Sequence, residues 1–201
     1  MNDKFYEQKK EKQDLMINGA MEIFAQKGFR HSAIDDMVKV SGVSKGLWFH
    51  YFENKVGLYS FVVDYAVKYA MLEYDINIKG DSFDYFDFIM NIENVKLELM
   101  DKYPYLPLLL ISIEEEDDSE AVALIKETRQ AYNDYMTGCV MKADKGMWDD
   151  ENDFTLMSEM LRYTLRNMMR QYYKEPVFRK ESYSKKTEQY VKMLKKMAQK
   201  C

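Results

Sequence analysis

The stretch from Gly28 to Lys55 most constrains the fold of this chain, because it predicts two short helices joined by a tight turn. We expect Ser32 to cap the first helix through its hydroxyl. Gly42 is expected to end that helix, since glycine adopts a left-handed conformation at little cost. Ser44 would then cap the second helix. The first helix has apolar residues at helical spacing, namely Ile34, Met37 and Val38.

Helix, glycine-containing turn and helix form the helix-turn-helix pattern, whose second helix enters the major groove of DNA. Around this pattern, about residues 10–60 resemble the DNA-binding domain of the tetracycline-repressor (TetR) family. The residues that carry the resemblance are Ile23-Phe24-Ala25, Gly28-Phe29, Ser32, Asp36-Met37-Val38, Ser41-Gly42-Val43-Ser44-Lys45-Gly46, Tyr51-Phe52-Glu53-Asn54-Lys55 and Leu58. The resemblance implies a DNA-binding domain over residues 1–55 and a helical effector-binding and dimerisation domain over residues 56–201.

Few helix-breaking residues interrupt the chain, which has three prolines and eight glycines in 201 residues. Alternation of β-branched residues is also scarce, so we predict an all-α fold of about nine helices. Besides the two helices above, helices are predicted over Phe5–Lys27, Asn54–Ile78, Phe83–Lys102, Tyr105–Ile113, Ser119–Lys142, Glu151–Tyr173 and Ser184–Gln199. In the first of these helices, Leu15 is expected to face the core of the protein. The segment Tyr105–Ile113 is apolar on nearly every side, which predicts a buried helix.

Two further segments are predicted to be loops. The acidic run from Glu114 to Asp118 is expected to be a solvated loop, with a site for a metal or a cationic ligand as the alternative. The segment Lys145–Asp150 is the second loop. The two cysteines, Cys139 and Cys201, lack metal-ligand spacing and are expected to be free thiols, with a redox sensor as the alternative.

Composition excludes several classes of protein. No apolar run approaches the ~18–20 residues of a membrane span, and the charged N-terminus lacks an apolar signal core. We therefore expect a cytoplasmic protein that does not bind membranes. There is no Gly-rich phosphate loop, nucleophile elbow or His-Glu-x-x-His motif, and the histidines are His31 and His50. The sequence thus indicates no enzyme, cofactor or metal site.

The resemblance to the TetR family implies a set of DNA contacts. These positions are Ser32, Lys45, Gly46, Leu47, Phe49, His50, Tyr51 and Lys55. Ser32, Lys45 and Lys55 would contact phosphates, and Gly46 would let the helix approach the groove closely. His50 is the polar side chain best placed to read a base edge, while Leu47 could touch a thymine methyl.

The aromatic residues of the second helix have two interpretations. Phe49 replaces a tyrosine that is frequent in the family and lacks its hydroxyl, and for Phe49 and Tyr51 core packing remains an alternative to DNA contact. For Trp48 and Phe52, core packing is the expected role.

Beyond residue 60 the chain is rich in tyrosine and methionine, which suit an adaptable apolar pocket. The resemblance implies an effector pocket in this half, with a hydrophobic or aromatic ligand; simple filling of the core is the alternative. Candidate pocket residues are Tyr65, Tyr69, Phe86, Met90, Tyr105, Met136 and Met160. An apolar seam near the C-terminus predicts a homodimer interface of four helices, with packing inside one chain as the alternative. Its residues are Phe154, Met157, Leu161, Leu165, Met168, Tyr172, Val191 and Leu194.

The favoured hypothesis is a homodimeric, ligand-responsive transcriptional regulator. It would be a repressor, released from a near-palindromic DNA operator by a small hydrophobic or aromatic molecule. The alternative is a DNA-bound interaction or architectural protein with the same fold and no small effector.

Overall fold

The computed structural model describes residues 3–78, 84–143 and 151–198. In this part of the chain nine α-helices follow a short 3-10 helix at Asp3–Phe5, and the predicted all-α fold is confirmed. The helices are α1 (Lys10–His31), α2 (Ile34–Ser41), α3 (Lys45–Phe52), α4 (Lys55–Asn77), α5 (Tyr85–Leu99), α6 (Leu106–Glu115), α7 (Ser119–Lys142), α8 (Glu151–Lys174) and α9 (Lys180–Ala198). None of the helices in the described ranges combines the length and the apolar character that a membrane crossing requires.

Most predicted helices are close to the observed ones, and α7 has the predicted bounds. The predicted start of the fifth helix at Phe83, the predicted loop at Lys145–Asp150 and Cys201 lie outside the described residues. The first helix begins at Lys10 rather than at Phe5, because the Phe5 ring is fully buried against the rings of Phe52 and Phe61. The chain must turn after Phe5 to place that ring in the core.

The chain divides into two compact units, one of residues 1–72 and 99–134 and the other of residues 73–98 and 135–201. The division into a DNA-binding part (1–55) and an effector-binding part (56–201) concerns function and stays a prediction.

In the first unit, α1 packs against both α2 and α6. The crossing with α2 is close at Gly19, where an added Cβ atom would lie 3.0 Å from the Cβ atom of Ser41. The α6 helix is buried along nearly its whole length, as its sequence predicts, with Leu106, Leu109 and Ile113 fully buried. The predicted inward position of Leu15 is wrong, because this side chain is 51% exposed.

In the second unit, α8 packs against α9, and a buried carboxylate lies on α5. The Tyr183 hydroxyl of α9 donates to Glu93 at 2.6 Å, and the Lys96 ammonium lies 2.6 Å from the same carboxylate. Burial raises the pKa of Tyr183, and the negative charge of Glu93 raises it further. Because the buried charge has two partners, the α5–α9 contact can be polar without an unpaired carboxylate.

Candidate nucleic-acid interface

The turn between α2 and α3 is built around Gly42. Gly42 has a positive φ of 69°, and its N–H donates to the carbonyl of Val38 at 2.9 Å, which is a left-handed helix end. The Ser41 hydroxyl oxygen then accepts the N–H of Val43 at 3.1 Å. Ser44 occupies the N-cap position of α3 without a capping bond from its side chain. The predicted helix, glycine turn and helix are therefore present.

Ser32 does not cap α2, so that prediction is wrong. Ala33 holds the N-cap position, and the Ser32 hydroxyl instead donates to the carbonyl of Phe29 at 2.8 Å, at the end of α1. The chain needs this bond because the carbonyl groups at a helix end lack partners within the helix. The Ser32 residue is 5% exposed, so its hydroxyl is not on the surface.

The α3 helix has one exposed and one buried face. Lys45, Gly46 and His50 are exposed, Phe49 is 44% exposed, and Leu47 is half-buried. The buried face consists of Trp48, Tyr51 and Phe52, and Trp48 is only 1% exposed. The expected core positions of Trp48 and Phe52 are confirmed. The separation leaves a continuous strip of α3 open to a large partner.

Lys45 lies at the N-terminus of α3 and pairs with Asp35 of α2 at 2.7 Å. Both side chains are more than half exposed, so the ion pair is weak and screened by solvent. The ammonium can therefore exchange its carboxylate partner for a phosphate at small cost. Beside it, no atom lies within 4 Å of the position that a Cβ atom on Gly46 would occupy.

Tyr51 lies in the core of the N-terminal head, by which we mean residues 3–55, rather than on the exposed strip of α3. It is 3% exposed, and its ring meets the Phe5 ring edge to face at 5.6 Å. Of the two interpretations of Tyr51, core packing is therefore the one observed.

Lys55, the first residue of α4, also makes contacts within the head. Its Nζ atom donates to the carbonyl oxygens of Phe29 at 2.9 Å and Ser32 at 3.4 Å. The same ammonium lies 4.3 Å from the centre of the Phe29 ring, a cation–π distance. Lys55 thus connects the start of α4 to the end of α1.

The prediction of a solvated loop over Glu114–Asp118 is wrong. Glu114 and Glu115 are the last residues of α6, and Glu116 and Asp118 in the connection that follows are ordered by hydrogen bonds. Glu116 accepts the backbone N–H of Phe29 at 2.9 Å and the Tyr59 hydroxyl at 3.3 Å. Asp118 pairs with Arg30 at 3.2 Å and caps α7 by accepting the N–H groups of Glu120 and Ala121. These bonds lower the pKa of Asp118, and the bond from the Ala121 N–H has the largest effect. Among the described residues, no cluster of acidic, histidine or cysteine side chains could hold a metal.

Sequence reasoning did not predict that Glu116 bonds to the backbone of Phe29 and to the hydroxyl of Tyr59. Burial and the nearby Glu116 carboxylate raise the pKa of Tyr59. The signal that could have found them is the acidic run itself, since a cluster of carboxylates directly after a buried helix can reach unpaired backbone N–H groups.

The predicted effector residues are divided between the two units. In the first unit, Tyr65 and Tyr69 are half-buried and stacked with ring centres 6.2 Å apart. Tyr105 is half-buried in the same unit. In the second unit, Phe86 is buried, Met90 and Met136 are half-buried, and Met160 is exposed. The effector role of these residues stays a prediction.

The first unit has an open cleft of about 760 Å³ between α4 and α7. Its walls carry polar and apolar groups, and they are formed by Gly57, Ser60, Phe61, Asp64, Ala123, Leu124, Lys126, Glu127 and Thr128. The residues that α4 contributes to the cleft, from Gly57 to Asp64, follow Lys55 closely in the sequence.

The apolar seam proposed for the dimer is buried within its own chain. Phe154, Met157, Leu161, Leu165 and Met168 are all buried, as are Val191 and Leu194 on α9, while Tyr172 is half-buried. These side chains are covered without a second copy. A different strip of α8 faces solvent, formed by Leu156, Met160 and Tyr163, and on α9 Met193 and Met197 are exposed.

The fold and the exposed face of α3 define a helical protein with an N-terminal helix-turn-helix. Residues 16–60 match the family model described as bacterial regulatory proteins, tetR family. The match covers most of α1, all of α2 and α3 and the start of α4, so the helix-turn-helix segment of this chain is similar to that of TetR family regulators.

A curated relative, the HTH-type transcriptional regulator YuxN of Bacillus subtilis (strain 168), is 34% identical over 74 residues. The match spans 36% of this chain and only 25% of the relative. Two solved structures share the fold over nearly the full length. A TetR family regulator from Chloroflexus aurantiacus has a TM-score of 0.65 at 15% identity, covering 97% of this chain and 96% of that one. The TetR family regulator PfmR from Thermus thermophilus has a TM-score of 0.57 at 15% identity, covering 89% and 96%.

Proposed function

We propose that this chain is a cytoplasmic, homodimeric repressor that binds a near-palindromic DNA operator through α3 and is released by a small hydrophobic or aromatic effector. The observation that supports DNA binding is the two-faced α3 helix: Trp48 and Phe52 anchor it in the head, while Lys45 and His50 face solvent. A recognition helix needs this combination of a rigid buried side and a free polar side.

Each exposed residue of α3 has a role in this proposal. His50 reads a base edge, and the apolar side chains of Leu47 and Phe49 touch thymine methyl groups. Lys45 binds a phosphate, which it can do after leaving the solvent-exposed pair with Asp35. Gly46 leaves open space between the helix backbone and the DNA.

The dimer in this proposal uses the exposed faces of α8 and α9 rather than the buried seam. Leu156, Met160 and Tyr163 follow one another at spacings of four and three residues, so they lie on one side of α8. Pairing these faces in two copies would remove apolar surface from water and form a four-helix contact. The two α3 helices would need to lie about 34–36 Å apart to enter successive major grooves.

The effector in this proposal acts through α4. The cleft beside α4 and α7 is large enough for a small molecule, and Lys55 at the start of α4 contacts the end of α1. A ligand that favours a different position of α4 would therefore lower the affinity for DNA.

A gel-shift experiment on the DNA upstream of the chain's own gene tests the proposal. We expect one discrete, near-palindromic site, and His50→Ala should relax the choice of base at one position by about 1–3 kcal/mol. Lys45→Ala should weaken binding on all sequences and reduce the salt slope by about one. Lys68→Ala is the matched control, because Lys68 is an exposed cation on α4 that pairs with Asp64. Binding proportional to DNA length would instead support the architectural alternative.

A further inference from the structure

The contacts around Phe29 join three separate segments of the first unit. Phe29 lies just before the helix-turn-helix, and Lys55 lies just after it. Glu116 comes from the connection between α6 and α7, far away in sequence. Any shift of the helix-turn-helix relative to α6 must therefore change the bonds at Phe29.

The charges at Phe29 match the polarity of its backbone. The Glu116 carboxylate accepts the N–H of Phe29, and on the other side of the same residue the Lys55 ammonium donates to the carbonyl. A negative group thus meets the backbone donor and a positive group meets the acceptor, and hydrogen bonds to charged groups are stronger than neutral ones. Gly28, with a positive φ of 67°, turns the chain so that the N–H of Phe29 leaves the helix and points to Glu116.

The Glu116 carboxylate is itself held in place. One of its oxygens accepts the N–H of Phe29 and the hydroxyl of Tyr59, and the other accepts the N–H of Asp118 at 3.1 Å. All three partners are donors, so an amide in place of the carboxylate would turn its NH₂ group toward at least one donor. The site is therefore specific for a carboxylate.

We infer that Glu116 is a positioning residue for DNA binding: through the N–H of Phe29 it fixes the helix-turn-helix against the junction of α6 and α7. The inference rests on the proposed function. Glu116 acts only through Phe29 and does not itself contact DNA. It follows that losing Glu116 weakens binding without removing a phosphate contact.

The first test compares Glu116→Ala with Asp117→Ala, a neighbouring exposed carboxylate with the same change of charge. We expect Glu116→Ala to lower the affinity for the operator by about tenfold or more, with the salt slope and the preferred bases unchanged. Asp117→Ala should stay within about twofold of the wild type, as surface changes do. Equal affinities for the two variants, or a salt slope reduced as in Lys45→Ala, would overturn the inference.

The second test needs no DNA and again uses Glu116→Ala, which removes the acceptor of the Phe29 N–H. By hydrogen exchange measured with NMR, the Phe29 amide should exchange about tenfold faster or more in this variant, whereas the amide of Ile17 in α1 should not change. Unchanged exchange at Phe29 would overturn the role of Glu116. A wild-type chain that binds no operator would instead overturn the proposed function, so the two failures are distinguishable.

Discussion

The Nζ atom of Lys55 lies 2.9 Å from the carbonyl oxygen of Phe29 and faces the ring of the same residue. This contact joins the residue that precedes the helix-turn-helix to the residue that follows it. The family resemblance assigned Lys55 to a DNA phosphate, whereas in the structure its ammonium satisfies two carbonyl groups of the head.

Lys55→Met should therefore destabilise the head itself. The methionine keeps the length of the side chain but removes the ammonium that donates to the carbonyl oxygens of Phe29 and Ser32, at a cost of about 1–3 kcal/mol in the free energy of unfolding. Urea denaturation followed by circular dichroism measures this loss. Lys68→Met, which breaks an exposed ion pair with Asp64, should cost less than about 1 kcal/mol. Equal costs for the two variants would show that the Lys55 contacts contribute nothing.

Gly46→Ala should separate stability from DNA binding. A methyl group at this position meets no atom of the chain, and alanine favours a helix over glycine, so the variant should gain about 0.5–1 kcal/mol in stability. Its affinity for the operator should fall, because the methyl group would lie between the helix backbone and the groove. Thermal unfolding and gel shifts measure the two effects. A more stable variant with unchanged binding would contradict close approach at Gly46.

The neighbouring residues Trp48 and Phe49 should behave in opposite ways. Trp48→Ala removes a side chain that is almost fully buried and should cost about 3–5 kcal/mol of stability. Phe49→Ala removes a ring that is 44% exposed, so it should cost much less stability and act mainly on DNA affinity. Urea denaturation and operator binding of the two purified variants test this. Loss of stability in Phe49→Ala comparable to that in Trp48→Ala would show that both rings belong to the core.

Met160→Glu should prevent the proposed dimer while leaving the monomer folded. Met160 lies in the middle of the exposed strip of α8, so a charge there would be buried only if two copies pair. Analytical ultracentrifugation should show a monomer for this variant and a dimer for the wild type. Leu15→Glu, on an equally exposed apolar residue of α1, is the control and should remain dimeric. A dimeric Met160→Glu variant would exclude this face.

Stability should fall steeply in alkali. Burial raises the pKa of Tyr85 to about 12, above the value near 10 that a tyrosine has in an unfolded chain. Between these values the folded chain keeps the proton and the unfolded chain loses it, so rising pH favours unfolding. Tyr85→Phe should reduce the slope of stability against pH in the range of about 10 to 12, as measured by urea denaturation. An unchanged slope would show that Tyr85 does not ionise on unfolding.

The helices of this chain are predictable from sequence because their signals are local. Helical spacing of apolar residues, Gly42 and the scarcity of proline lead to the observed elements without any knowledge of distant contacts. The same local signals also predict the buried α6 helix, since its apolar residues surround it on nearly every side.

Two of the errors arise where a distant residue completes a local group, whereas the error at Ser32 is a competition between two neighbouring helix ends. Ser32 is a residue type that often caps helices, but its hydroxyl donates to the Phe29 carbonyl at the end of α1 instead of capping α2. Glu116 belongs to a run that looks solvated until the fold brings Phe29 to it. The seam of α8 has the spacing of an interface, yet periodicity alone cannot tell whether α9 of the same chain or a second copy covers it.

The bond between Lys55 and Phe29 has a consequence for engineering. Since the two ends of the helix-turn-helix meet at one point, residues 34–52 form a cassette whose attachment sites are held at a fixed separation. Exchanging that cassette for one from another regulator would keep both junctions in place, provided that Phe29, Lys55 and Glu116 are retained. If the proposed function holds, operator choice would then be portable between proteins whose cassettes carry buried side chains that fit against Phe5 and Phe61.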